Sequence, residues 1–254
     1  MRIRALLALL SLAAAALPAR GATRSARDVL QSYVDDYGSD PQSADPITFG
    51  VLVKGEGEWH VVVEGRKAVT LHDGPPPIPT FRFVLDRSTL DRLDTGTINA
   101  LTAMGRARES DAAPMDFDFT KGFRPDREQI GRFLPVIFHF WTRGTPEIVP
   151  FGAGLSRPMH GANAVLFYYE PGVRFAWFHI GLGQHVNADP NDQSNPFPSI
   201  IVVTKGRCDA KIGGKSVRLS AGEMLFIPAN TTHELWNDAE EPAEGTLLMF
   251  GKGA

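Results

Sequence analysis

The stretch Gly222-Glu223-Met224-Leu225-Phe226-Ile227-Pro228-Ala229-Asn230-Thr231-Thr232-His233-Glu234-Leu235-Trp236-Asn237 carries the clearest fold signal in the chain. Two short strand-like runs, Met224–Pro228 and His233–Trp236, flank a turn whose Asn230 is a residue type that tolerates the left-handed conformation. Working outward, the same grammar repeats. Ala164–Tyr169, Val173–Ile180, Ser199–Thr204, Arg207–Ile212, Ser216–Leu219 and Thr246–Phe250 all read as strands. Pro171-Gly172, Gly206, Gly213-Gly214 and Ala221-Gly222 punctuate them. Short strands at near-regular spacing imply a closed sandwich or barrel.

The front of the chain has a different pattern. Val29, Leu30, Tyr33, Val34 and Tyr37 recur at helical spacing behind the candidate cap Ser25, so 25–44 reads as a helix and polar linker. Alternating runs follow: Ile47 to Val53, Trp59 to Val63, Ala68 to Leu71, and Phe81 to Leu85. The period then changes, with Ser88 expected to cap a helix carrying Leu90 and Leu93, and Thr97 one carrying Ile98, Leu101 and Met104. Phe117 and Phe119 suggest a last strand. Within 123–159, Ile130, Phe133, Leu134, Ile137, Phe138 and Trp141 share a helical face interrupted by Pro135. That stripe reads as packing between two domains, or as a cover over a lipid tunnel.

Two family resemblances attach to these residues. Residues 47–119 resemble the sterol carrier protein type 2 family in the order of their strands and in Thr95-Gly96-Thr97-Ile98-Asn99-Ala100-Leu101, which stands where that family starts a helix. The resemblance implies a sheet with helices on one face around an apolar tunnel, and a lipid or other hydrophobic small molecule as ligand. Removal of an apolar chain from water would drive binding, at about 0.8 kcal/mol per methylene. Here the segment Gly105–Asp116 departs from the family by being polar and loop-like. Residues from about 160 onward resemble the cupin superfamily, through Gly222, Pro228, His233 and Asn237. The expected architecture is therefore an α+β lipid-carrier-like domain over 45–122 and an all-β cupin barrel of the jelly-roll type over 160–254.

The cupin resemblance implies a metal-ligand position at His233. Two alignments of the family's other ligands stay open. Counting back from Gly206 puts Ser199, Asn195 and Gln193 where a Glu and two His would stand, and none is a strong ligand. A longer loop instead places His185-Val186-Asn187 there, with Asp189 or Asp192 as the acid. His185, His233 and one carboxylate would suit Fe(II) or Mn(II); the other reading is a barrel without a metal, in which His233 lines a pocket. His179 is a candidate to point into the barrel, and Trp177 and Trp236 to line or brace it. His60 and His72 read as isolated strand histidines, and Cys208 as a plain buried thiol.

Composition bounds the rest. The chain has 254 residues, 43% of them hydrophobic, and a formal charge of −3, which gives nucleic-acid binding little electrostatic support. A single cysteine excludes an intrachain disulfide. Arg2 and Arg4, the apolar run Ala5–Leu17 and the small residues after Pro18 have the form of a secretory signal peptide over 1–22, so a periplasmic or secreted protein is expected. Three functions follow as alternatives: an exported binder of a lipid or other hydrophobic small molecule with the cupin module as a second binding site, a cupin enzyme (metal-dependent dioxygenase, isomerase or lyase) acting on a hydrophobic substrate, or a structural or sensory module whose main output is a homodimer formed through the barrel.

Overall fold

A computed structural model describes residues 24–254 apart from 107, 109 and 143–147. The leader-like segment 1–22 and its cleavage site lie outside the described residues. Among the described residues no helix is long and apolar enough to cross a membrane.

The chain opens with α1 (Ala26–Tyr37), whose first turn is closed by the Ser25 hydroxyl accepting from the Asp28 N–H. Strands β1 (Ile47–Lys54), β2 (Gly57–Gly65), β3 (Ala68–Asp73), β4 (Phe81–Asp86) and β5 (Met115–Phe119) form one sheet in the order β3-β2-β1-β4-β5. β1 runs parallel to β4 and the other neighbours are antiparallel. Between β4 and β5 lie α2 (Arg87–Asp94) and α3 (Ala100–Met104). Their caps are not the expected hydroxyls. Asp86 accepts from Thr89 N–H, and Asn99 accepts from Thr102 N–H. A carboxylate or amide oxygen reaches a first-turn amide as well as Ser or Thr would. Helix α4 (Arg127–His139) follows, with Pro135 inside it and a complete capping box between Asp126 and Gln129.

Alternation sends Phe49, Val51, Val53, Val61, Phe81, Phe83 and Leu85 to one face of the sheet, where α1, α2 and α4 cover them. The expected tail-sized tunnel is occupied by side chains of the protein itself. The Phe49 ring sits 4.9 Å from Phe140 and 5.5 Å from Phe81, and Trp141 lies 5.0 Å from Tyr33 and 5.3 Å from Phe83. Large aromatic residues at successive inward positions meet the helices directly, so this space is a packed core.

The rest of the chain supplies β6 (Arg157–Met159), β7 (Ala162–Glu170), β8 (Val173–Ile180), β9 (His185–Val186), β10 (Ser199–Lys205), β11 (Arg207–Ile212), β12 (Lys215–Ser220), β13 (Met224–Ile227), β14 (His233–Trp236) and β15 (Ala243–Phe250). They make a six-stranded sheet, β13-β10-β15-β8-β7-β6, and a four-stranded sheet, β12-β11-β14-β9. Phe178, Ile180, Ile201, Cys208, Ala210, Ile227 and Leu235 fill the space between the two. Asn230 has φ of +58°, the left-handed turn that its side chain tolerates. Gly206 is required twice over. Its φ is +67°, and a Cβ there would lie 2.2 Å from the Pro242 carbonyl oxygen.

The sheet–helix unit and the barrel are joined by hydrogen bonds as well as packing. β7 carries a bulge between Leu166 and Tyr168, beyond the reach of the three-residue β6. The Leu166 N–H donates to Thr102 Oγ1 at 2.9 Å, and its carbonyl accepts from Asn99 Nδ2 at 2.8 Å. Arg157 donates to the carbonyls of Thr102, Ala103 and Gly105, which closes the C-terminal end of α3.

Candidate functional site

On β14 the alternation is unambiguous: His233 and Leu235 point into the barrel, Glu234 and Trp236 away from it. His233 is 6% exposed. Its Nδ1 lies 3.0 Å from the Thr231 carbonyl oxygen, which can only accept, so Nδ1 donates there. The backbone N–H of His233 donates to the Gln193 carbonyl at 2.7 Å, and that of Asn230 to the Asn195 carbonyl at 2.6 Å. The loop before β10 is thus laid beside β14 through its backbone. His233 also borders a polar dent of about 320 Å³ with Gln193, Lys211, Gly214, Thr232 and Glu234.

The expected two-histidine, one-carboxylate set does not form. β9 pairs with β14 so that Val186 meets Leu235 and His185 meets Trp236. His185 is therefore on the outer face, opposite to His233. It is 49% exposed, 3.6 Å from Glu234 and stacked on Trp236 at 6.2 Å. Asp189 caps the turn after it through Asn191 N–H and pairs with Arg108, and these contacts hold its carboxyl below the usual range. Asp192 ends that turn, and its side chain lies outside the described residues. Ser199, at the position of the family's acid, faces inward and is buried. Among the described residues, no group of three or more His, Cys, Asp or Glu side chains could hold a metal ion. The donors among the described residues do not fit Fe(II) or Mn(II).

His179 and Trp177 are likewise corrected. Phe178 and Ile180 occupy the inward positions of β8, so His179 and Trp177 project outward. His179 Nδ1 is 3.5 Å from Glu244, which Lys205 also reaches at 3.1 Å. Trp177 is 3% exposed, and Phe151 of the connector lies 5.9 Å from its ring. Trp236 packs against His185 outside the barrel. His60 and His72, read as isolated, are register partners on the front sheet with rings 5.0 Å apart.

A second cavity lies where sequence spacing points to nothing. It occupies about 160 Å³ between the two units, lined by Asp40, Asn99, Ala100, Leu101, Phe138, His139, Trp141, Thr142, Val149, Phe167, Tyr168 and Tyr169. Phe138 of α4 rests on Tyr169 of β7 at 4.2 Å. His139 stands between two carboxylates, with Nδ1 3.4 Å from buried Asp40 and Nε2 3.5 Å from Glu170. Burial, helped by a hydrogen bond to Glu170, pushes the Tyr168 hydroxyl up to about 12. An apolar hollow of roughly 150 Å³ is known to admit a single aromatic ring, so this one has the size for a small ring or a compact branched group.

Residues 185–249 match the family model described as the cupin domain. The chain carries a cupin domain. No curated protein matches the chain. Among solved structures, a cupin 2 conserved barrel domain protein from Salinispora arenicola is similar, at 16% identity and a TM-score of 0.38 over 42% of this chain and 91% of that one. The cupin domain of Cnp3 from Schizosaccharomyces pombe is 10% identical, with a TM-score of 0.36 over 42% of this chain and 76% of its own. A predicted oxalate decarboxylase from Thermotoga maritima is 16% identical, with a TM-score of 0.32 over 35% of this chain and 79% of its own.

Proposed function

We propose that the protein binds a small hydrophobic molecule in the seam between the sheet–helix unit and the cupin domain, and that it acts outside the cytoplasm. The observation that carries the reading is the seam cavity, whose wall is mainly aromatic and aliphatic with a few converging polar groups. Two features narrow it. The sheet–helix core is filled by its own rings, so the ligand is a ring or short branched chain rather than a long acyl tail. The cupin domain offers no convergent metal ligands among the described residues, so binding is supported ahead of metal-dependent dioxygenase, isomerase or lyase chemistry. Export rests on the leader-like sequence over 1–22.

The test uses benzene and phenol as probes, followed in solution by NMR. Binding should shift the Trp141 indole N–H resonance and leave those of Trp177 and Trp236 in place. Val149→Trp, which fills the cavity from its exposed side, should abolish the shift while leaving the folded spectrum intact. No perturbation at saturating probe, or an equal response in Val149→Trp, overturns the reading.

A homodimer through the cupin domain belongs to the same proposal. Met224 and Phe226 are 58% and 50% exposed on β13, the edge strand of the six-stranded sheet, where exposed apolar side chains beside an open backbone edge favour a partner. Light scattering should give twice the monomer mass, and the monomer mass for Met224→Glu/Phe226→Glu. A monomeric wild type removes this part of the proposal.

A further inference from the structure

We propose that the seam cavity recognises a small organic cation of the quaternary ammonium class. This deepens the binding reading above and rests on it.

Three features of the wall point the same way. First, five aromatic residues, Phe138, Trp141, Phe167, Tyr168 and Tyr169, line the space, and aromatic ring faces attract cations. Second, two carboxylates converge on one imidazole: Asp40 at 3.4 Å and Glu170 at 3.5 Å from the two nitrogens of His139. A single ring can carry at most one positive charge. The trio therefore sets two acidic groups against one basic one. Third, among the described residues no lysine or arginine lines the cavity. The Arg174 guanidinium stands beside it, 4.9 Å from the Tyr169 ring centroid. It shows that ring already serving as a cation platform, and its charge partly offsets the carboxylates, so ring faces and acids must act together.

The chemistry matches the volume. A trimethylammonium head is bulky, poorly hydrated and unable to donate a strong hydrogen bond, so an aromatic wall replaces its hydration at little loss. A primary ammonium would lose three strong hydrogen bonds to water and would have to recover them from Asp40 and Glu170, which already hold the Gln42 N–H and the Tyr168 hydroxyl.

The decisive comparison is choline against 3,3-dimethylbutan-1-ol, which has the same shape with carbon in place of the charged nitrogen. Calorimetry on the full chain should show choline binding about tenfold more tightly, as a cation over partly desolvated rings implies. Asp40→Asn and Glu170→Gln keep the shape of each side chain, and in the former the amide oxygen can still accept from the Gln42 N–H. Each should weaken choline about three- to tenfold and leave the alcohol within twofold. Equal or tighter binding of the alcohol overturns the cation assignment and leaves the seam site standing. Equal losses for both ligands in the two variants also overturn it, by assigning the acids a merely structural role. If neither ligand binds while benzene still shifts the Trp141 resonance, only the cation assignment fails; if benzene is silent too, the seam site fails with it.

Discussion

Thr102→Val is the sharpest probe of how the two units hold together. Thr102 is fully buried on α3, and its hydroxyl oxygen accepts the Leu166 N–H at 2.9 Å. Valine has nearly the same shape, so the substitution leaves no cavity and removes only the hydroxyl that accepts from Leu166. A buried donor left unpaired costs about 1–3 kcal/mol, and we take about 2 kcal/mol as the expected loss. With a urea dependence of about 2–3 kcal/mol/M, the midpoint should fall by roughly 0.7–1 M. Thr102→Ser keeps the oxygen and loses one methyl, so it should cost under about 1 kcal/mol. The direct readout is amide exchange at Leu166, which should accelerate in Thr102→Val and stay slow in Thr102→Ser. A Thr102→Val protein within about 0.3 kcal/mol of wild type, with the Leu166 amide still protected, would refute the account of the seam; that margin is well below the cost of an orphaned buried donor.

Other consequences can be measured as readily. Burial raises the Cys208 thiol from 9.0 to about 11, so the folded state keeps that proton where the unfolded chain loses it; stability should decline between about pH 9 and pH 11, by at most about 2–3 kcal/mol, and Cys208→Ala should remove that part of the slope. His185→Ala, on an exposed outer face, should change stability by under about 0.5 kcal/mol, whereas His233→Ala should cost about 1–3 kcal/mol. Neither should alter the response of the melting temperature to Mn(II), and loss of a stoichiometric Mn(II)-dependent gain in His185→Ala would show that the two histidines do share a site. Gly206→Ala should cost more than the roughly 1–2 kcal/mol of left-handed strain alone, because the added carbon would press on the Pro242 carbonyl; a melting temperature unchanged within error would contradict that crowding.

Strand positions were legible because alternation and glycine punctuation are local. The facing of individual side chains was less so. In Phe175-Ala176-Trp177-Phe178-His179-Ile180 apolar residues occupy both parities, and only the packing of Phe178 and Ile180 against the opposite sheet reveals that Trp177 and His179 point outward. His185 belongs to a two-residue strand, too short for any period, so its place opposite His233 follows from pairing with β14. The aromatic stripe on α4 does pack between the units through Phe138, although Ile130, read as part of the stripe, is 43% exposed. The seam cavity draws Asp40, Asn99, His139, Val149 and Tyr168 from separate places in the chain, and no spacing rule gathers them. Nor could alternation in the front strands say whether Phe49, Phe81 and Phe83 enclose a hollow or fill it, because both demand the same inward aromatic residues.

The bulge at Leu166 has a consequence for any attempt to cut this chain in two. Past the short β6, the rim of the barrel is guarded by a helix from the other half of the molecule, through Asn99 and Thr102. A fragment beginning at Arg157 would bare that rim and with it an amide and a carbonyl ready to recruit a stranger's backbone. The front half thus closes, for the barrel, an edge that the barrel's own strands leave open.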